Sequence, residues 1–243
     1  MSKTIVVIPA RWSSSRFPGK SIVKISGVPM IVRVWNQVKK CHDIDKILVA
    51  TDDKRISDVC GDHNIEFVMT GSNYRTGTDR VASLVKKFDY STYVNVQGDE
   101  PLVRPEDINK LVSFHLKCVE KGIEVTNAYV PQNRLPKDYG EIKSFLAKTN
   151  DNCVAKISRS VIHSDLNDNN SEFLSHIGMY AFTKNALIRF GNWEKKELEI
   201  AEGIEMLRYI EHHEKVGCIA LDSGSVAVDY PKDVEKIEKI LAD

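Results

Sequence analysis

The sequence has no excess of charge of either sign, since 34 Lys and Arg stand against 34 Asp and Glu. A chain without a global field exerts no long-range pull on nucleic acid or on an anionic membrane, so any anion site has to be built locally. Cysteine is sparse and unpatterned. Its five copies, Cys41, Cys60, Cys118, Cys153 and Cys218, are odd in number, scattered and nowhere spaced as C-x-x-C. That disfavours a disulfide framework and a thiolate zinc site, and the five read as reduced thiols. Long apolar runs are missing too. None approaches the roughly 20 residues of a membrane span, and the opening MSKTIVVIPA enters a β-branched segment with no signal-type apolar core. These absences predict a cytoplasmic protein with neither a membrane nor a nucleic acid as partner. Repeats, low-complexity tracts and linkers are also lacking, and 243 residues suffice for one sizeable core, so a single domain over 1–243 is expected.

What the chain does have is alternation. Thr4 to Ile8 and Lys46 to Ala50 are apolar enough to be buried on both faces, as central strands of a parallel sheet are, and Ile65 to Met69 and Thr92 to Gln97 read as two more. Helical spacing lies between them. Pro29 suits a first turn, with Ile31, Val34, Trp35 and Val38 following; Ile56, Val59 and Cys60 mark a second helix, Val81, Leu84 and Val85 a third, and Pro105 with Ile108, Leu111, Val112 and His115 a fourth. Strand, helix, strand in repetition forces parallel pairing with right-handed crossovers, hence an α/β, three-layer doubly wound unit. The second half is less regular. Glu141 to Lys148, Cys153 to Ser158 and Ser175 to Phe182 read as strands, and HSDLNDNNSE as an exposed polar loop. Glu199 to Glu214 reads as a charged helix with Ile200, Ile204 and Leu207 on one side, and PKDVEKIEKILA as a closing amphipathic helix.

In such sheets ligands bind beyond the carboxyl ends of the strands. There the sequence places PARWSSSRFPGK, TDDKR, GSNYRTGTDR and GDEP. In the first, Arg11, Arg16 and Lys20 surround a Pro-Gly turn and a run of serines, the composition of a phosphate cradle, although neither G-x-x-x-x-G-K-[ST] nor G-x-G-x-x-G is present. A polar loop carrying its charges into solvent has the same composition. Asp99 and Glu100 follow a buried strand and a glycine, where a carboxylate suits a hard divalent cation that also touches phosphates, or else caps the next helix. Asp229 precedes a helix-opening proline and reads alone as an N-cap; paired with Asp99 it completes a metal site. Thr78 or Asp79 suits the cap of the third helix. Arg159 and His176, taken singly, read as structural.

The segments VIPARWSSSRFPGK, VATDD, VMTGSNYRTGTDR, VNVQGDEPL, HIGMYAF, LEIAEGIEMLR and VDYPKDVEKIE, in this order and near this spacing, resemble the 3-deoxy-manno-octulosonate cytidylyltransferases, or CMP-Kdo synthetases, and more loosely the CMP-sialic acid synthetases. The resemblance implies a Rossmann-like nucleotide-diphospho-sugar transferase fold with a smaller, irregular mixed-strand dimerisation region. It also implies a homodimeric, Mg2+-dependent enzyme that joins CTP to an acid sugar, for lipopolysaccharide or capsule. Carried over by position, Pro9, Ala10, Arg11, Ser14, Arg16 and Lys20 hold the nucleotide's phosphate side, while Thr76, Gly77, Arg80 and Gln97 shape the cytosine pocket. Arg11, Lys20 and Asp99 are the catalytic positions, Asp99 and Asp229 the metal ligands, and Arg159, His176, Tyr180 and Glu205 the sugar positions. Two residues depart from the pattern: Met206 replaces a glutamine associated with the sugar, and Tyr230 stands beside the metal ligand. They leave room for another acceptor, such as a nonulosonic acid, an amino-substituted Kdo or a phosphonate, for another nucleotide, or for a non-catalytic nucleotide-binding module.

Overall fold

A computed structural model describes residues 3–14, 16–132, 144–162, 173–222, 224 and 226–242. The chain forms two compact units, one from Met1–Asn109 with Ser225–Asp243 and the other from Lys110–Gly224.

The first unit opens with β1 (Thr4–Ala10), a 3-10 turn (Lys20–Ile22), the short strands β2 (Lys24–Ile25) and β3 (Val28–Pro29), and α1 (Met30–Val38). Then come β4 (Lys46–Thr51), α2 (Lys54–Asp62), β5 (Phe67–Met69), α3 (Gly77–Ala82), β6 (Thr92–Val96) and the start of α4 (Pro105–Val119). The strands β6, β1, β4 and β5 lie side by side in that order, all parallel, with Thr4 opposite Thr92, Ala10 opposite Thr51, and Thr51 opposite Met69. Every residue of β1 and β6 is buried, as strands covered on both faces require. The α/β class and the parallel pairing read from the sequence are therefore borne out. The element ends differ in detail: Pro29 occupies the N-cap of α1, and α3 stops at Ala82, leaving Leu84 and Val85 buried in the turns beyond.

α4 carries the chain through the junction as continuous helix, so no linker composition marks it. The second unit continues with β7 (Val125–Gln132), β8 (Phe145–Lys148), β9 (Val154–Ser158), β10 (Phe173–Thr183), α5 (Lys184–Asn192), α6 (Glu197–Glu202), α7 (Leu207–Glu211) and β11 (Val216–Ala220). β7 pairs in parallel with β11 and antiparallel with β10; β10 with β8, and β8 with β9, are also antiparallel. β8, β9 and β10 match the expected strands, whereas β7 and β11 were not expected; residues 141–143 of the expected Glu141 strand and the whole 163–172 loop lie outside the described residues. The expected helix over Glu199 to Glu214 is instead two short ones. Gly203 ends α6 in the left-handed region, φ 64°, and leaves Ile200 69 % exposed while Ile204 and Leu207 are buried. A bidentate pair within the second unit, Arg208 to Glu199 at 2.7 Å on both arms, joins the two pieces.

The chain then returns to the first unit. Val226, Val228, Val234 and Ile237 pack with Phe17, Val23, Ile25, Met30 and Leu102, which seats α8 (Pro231–Ala242) and fixes the segment before it.

Candidate active site

Four of the expected residues meet in the first unit. β1 delivers the chain into the loop that ends at Gly19, whose φ of +72° favours glycine, and the 3-10 turn then presents Lys20. Its ammonium donates to Asp99 Oδ2 at 2.6 Å, Asp229 Oδ1 at 3.1 Å and the Val228 carbonyl at 2.8 Å. An ammonium has three protons, and each has an acceptor here. Arg16 donates from Nη2 to the same Asp229 Oδ1 at 2.6 Å, and its guanidinium lies 5.7 Å from the Tyr230 ring. The two acids arrive from distant parts of the chain: Asp99 from the turn after β6, and Asp229 from the returning segment, tied to it by Val228 N–H donating to the Asp99 carbonyl at 2.9 Å. Asp233, in the first turn of α8, holds the segment before the helix: its Oδ2 accepts from Asp229 N–H and Tyr230 N–H at 2.8 and 2.7 Å. Burial lowers the Lys20 pKa, but the two carboxylates outweigh it and leave the group above its ordinary value.

A second constellation lies at the carboxyl ends of β1 and β6. A Cβ at Gly77 would stand 2.9 and 3.1 Å from the amide atoms of Gln97 and 3.1 Å from Pro9 Cγ. The start of α3 thus presses on the Gln97 amide with no side chain between. At Gly98 a Cβ would meet the Pro9 carbonyl at 2.7 Å, so glycine lets the turn before Asp99 close onto β1 next to buried Ala10. The α3 cap is Thr76, not Thr78 or Asp79: Thr76 Oγ1 accepts from Asp79 N–H at 3.0 Å and Asp79 Oδ2 accepts from Thr76 N–H at 3.1 Å. Thr78 is buried and takes the Asn95 amide at 3.2 Å.

Three expected nucleotide residues stand apart from these two groups. Arg80 is 2 % exposed, its guanidinium held by Asp52 at 2.8 Å, by Thr70 and by the Gly71 carbonyl. It holds the Thr70 to Thr76 turn in place. Arg11 is exposed and donates to the Arg75 carbonyl at 3.3 Å, and Ser14 is buried with its hydroxyl accepting from Phe17 N–H at 3.4 Å.

The four expected sugar residues belong to the second unit. His176 bonds Ser144 Oγ through Nδ1 at 2.8 Å and stacks on the buried Tyr180 ring, centroids 5.8 Å apart. Burial, with a smaller push from the Arg159 charge, lowers its pKa to about 3, so the imidazole is neutral at physiological pH. β10 bulges between Ile177 and Tyr180, where the Asn127 amide donates to the Ile177 and Met179 carbonyls at 2.9 and 3.3 Å. Arg159 is anchored on Glu202, Nε to the carbonyl at 2.6 Å and N–H to Oε2 at 2.8 Å. Glu205 is half-buried just before α7. Its neighbour Met206 is fully buried, so the thioether presents no surface to an acceptor.

Comparison with known proteins decides the family. The profile of the family described as Cytidylyltransferase matches residues 5–216. The chain belongs to the cytidylyltransferase family. Its relatives include the 3-deoxy-manno-octulosonate cytidylyltransferases of Myxococcus xanthus (strain DK1622), 36 % identical over 98 % of this chain and 96 % of that one, and of Chloroherpeton thalassium (strain ATCC 35110 / GB-78), 35 % identical over 99 % and 98 %. Among solved structures, CMP:2-keto-3-deoxy-manno-octonic acid synthetase complexed with CTP matches with a TM-score of 0.90 at 28 % identity, over 99 % of both chains.

Several residues that organise this cytidylyltransferase's site carry no sequence signal of their own. Asp52 sits inside the quoted TDDKR, but nothing in its spacing names Arg80 as its partner. The Val228 carbonyl is backbone and invisible to composition. Among the described residues no group of three or more His, Cys, Asp or Glu is arranged to hold a metal; Asp99 and Asp229, the two acids expected to hold one, both accept from Lys20. Two carboxylate oxygens that already share one cation fit Mg2+, which takes one or two protein carboxylates and completes its shell from phosphate and water.

Proposed function

We propose that this cytidylyltransferase couples CTP to 3-deoxy-manno-octulosonate or a closely related 2-keto-3-deoxy acid, giving the CMP-sugar and pyrophosphate in a Mg2+-dependent reaction. The observation that carries the proposal is the meeting of Lys20 and Arg16 with Asp99 and Asp229 beside the β1 loop.

The chemistry is limited by charge. The sugar's anomeric hydroxyl must attack the α-phosphorus while both reactants are anions; the bond from that phosphorus to the bridging oxygen breaks, pyrophosphate leaves, and the hydroxyl proton passes to solvent. Neutralisation and alignment therefore supply the rate. Here Lys20 and Arg16 are balanced by Asp99 and Asp229, so this cluster of four offers no net positive charge to a triphosphate. Magnesium held by Asp99 and Asp229 would supply that charge and lower the pKa of a bound hydroxyl. Lys20 and Arg16 would serve the phosphates, Lys20 as a point charge and Arg16 as a planar fork. Arg11 adds a third cation, and Ser14 and the Pro9 to Ala10 backbone line the same end of β1. Gly77 and Gln97, supported by the Thr76 cap, form the wall against which a pyrimidine's amide and amino edge is read, and Arg80 acts on it by fixing the preceding turn. No side-chain base is assigned. In the second unit Arg159 is the cation for a sugar carboxylate, and neutral His176 with Tyr180 and Glu205 offers partners for hydroxyls. The family resemblance supports a cytoplasmic homodimer serving lipopolysaccharide or capsule assembly; among the described residues no helix is long and apolar enough to cross a membrane.

Tyr230 favours a variant acceptor as the second reading, because its ring stands beside Asp229 with Arg16 and Lys232 each 5.7 Å from its centroid. Pyrophosphate release with CTP, UTP, GTP and ATP against a panel of acid sugars tests both. Turnover confined to CTP and Kdo supports the first; CTP with another acid supports the second; turnover independent of CTP overturns both.

A further inference from the structure

We infer that Trp12, clamped by Arg55, is a positioning residue that holds the phosphate loop in its binding geometry before nucleotide arrives. The inference rests on the reading of that loop as the triphosphate grip and adds residues that the reading does not use.

The loop is closed at Trp12. Its carbonyl accepts from Ser14 N–H at 3.0 Å and from Gly19 N–H at 2.9 Å, tying both ends of the Ser14 to Gly19 segment to one atom. Its indole is wedged against the same hinge: a Cβ at Gly19 would come within 2.8 Å of Cη2 and 3.1 Å of Cζ2 and Cζ3. Gly19 directly precedes Lys20, so the indole sets the path on which the catalytic lysine leaves the loop. Against the ring lies Arg55, its guanidinium carbon 3.3 Å from the centroid. Arg55 is itself immobilised, Nε on Asp53 Oδ1 at 2.8 Å and Nη2 on Asp53 Oδ2 at 2.7 Å. Asp53 caps α2 by accepting from Arg55 N–H at 2.9 Å, and its own N–H reaches Thr51 Oγ1 at 3.3 Å. Thr51 ends β4 opposite Ala10. A continuous path of contacts thus runs from the end of β4 through Asp53, Arg55 and Trp12 to Gly19 and Lys20.

The path has a function because Arg11, Arg16 and Lys20 all leave from this one short loop, so its backbone sets where each of them stands. A loop left to spread would have to be ordered by the incoming nucleotide, and that ordering lowers affinity. Arg55 itself is not a phosphate ligand here, since its fork is taken by Asp53 and its face by Trp12.

The test measures CTP affinity by calorimetry with Mg2+ present, together with steady-state kinetics and melting temperature, on wild type, Arg55→Ala, Arg55→Lys and Trp12→Ala. Arg55 is a surface side chain, so Arg55→Ala folds. The expected result is a rise in Kd and KM for CTP of roughly five-fold in Arg55→Ala, the scale of a surface cation on an aromatic face, and at least as much in Trp12→Ala. The KM for the acid sugar and the melting temperature of Arg55→Ala stay near wild type. Arg55→Lys keeps the charge but loses the planar fork, and behaves like Arg55→Ala. CTP affinity unchanged in Arg55→Ala, or full retention in Arg55→Lys, overturns the clamp while leaving the nucleotide reading standing. A wild type that binds no CTP overturns that reading, and the clamp with it.

Discussion

Lys20 and Asp99 meet at 2.6 Å although 79 positions separate them in the chain. The contact closes the turn after β6 onto the loop after β1, and Asp229 completes it from a further 130 residues along. Lys20 is 12 % and Asp229 6 % exposed while Asp99 is 29 % exposed, so the pair with Asp229 is the less screened of the two.

Replacing Lys20 with alanine leaves Asp99 and Asp229 facing each other with Arg16 as the remaining cation. We predict a fall in turnover of at least a hundred-fold together with weaker triphosphate binding. Mn2+ taken up by the nucleotide-free protein, read by electron paramagnetic resonance, rises as the acids lose their internal counter-ion. Uptake below the wild-type level would show that Lys20 does not compete for these carboxylates.

Gly77→Ala places a methyl within about 3 Å of the Gln97 amide and Pro9. Relief requires the amide to move, which predicts a loss of CTP affinity on the order of tenfold. Binding of CTP and UTP to the variant checks it; unchanged preference and affinity would remove Gln97 from base recognition.

Met206→Gln tests whether the departure from the family pattern concerns the acceptor or the core. Met206 has no exposed surface, so an amide there is buried without arranged partners and costs about 1–3 kcal/mol, several degrees of melting temperature for a chain of this length. A variant as stable as wild type that turns over the acid sugar faster would restore the position to the sugar site.

The pH dependence of stability follows from two buried histidines in the second unit. His115 is lowered to about 4 and His176 to about 3 from an ordinary 6.5, burial being the main cause in each. Between these values the unfolded chain binds more protons than the folded one. Stability is thus fully present above about 6.5 and is lost as pH falls toward 4 and 3. Lys20 has the opposite sense: its raised value stabilises the fold below the ordinary 10.5 and is lost as pH rises through the folded value. Urea unfolding across pH checks both limbs, and His176→Gln flattens part of the acid one.

The parallel half of the fold was legible because its strands are buried on both faces and so are written as unbroken β-branched runs, such as Thr4 to Ile8. β7 was not, since Asn127 and Thr126 interrupt the pattern and are satisfied only by tertiary partners; β11, five residues long with Gly217 inside it, was not either. The break at Gly203 escaped because the helical spacing continues across it. In the site, Asp99 and Lys20 stood out by their address at strand ends. Asp229 read alone as a cap, and that its carboxylate accepts from Lys20 and Arg16, over 200 positions away, no local pattern encodes. Arg80 is the buried partner of Asp52, a pairing across 28 positions that no local pattern encodes.

The most direct test of the account is pyrophosphate release from CTP and Kdo as a function of Mg2+ in wild type and Asp99→Asn. Loss of one metal-holding charge predicts turnover lower by orders of magnitude, with the far-ultraviolet spectrum unchanged and the deficit greatest at limiting Mg2+. Turnover near wild type at limiting Mg2+ would contradict it.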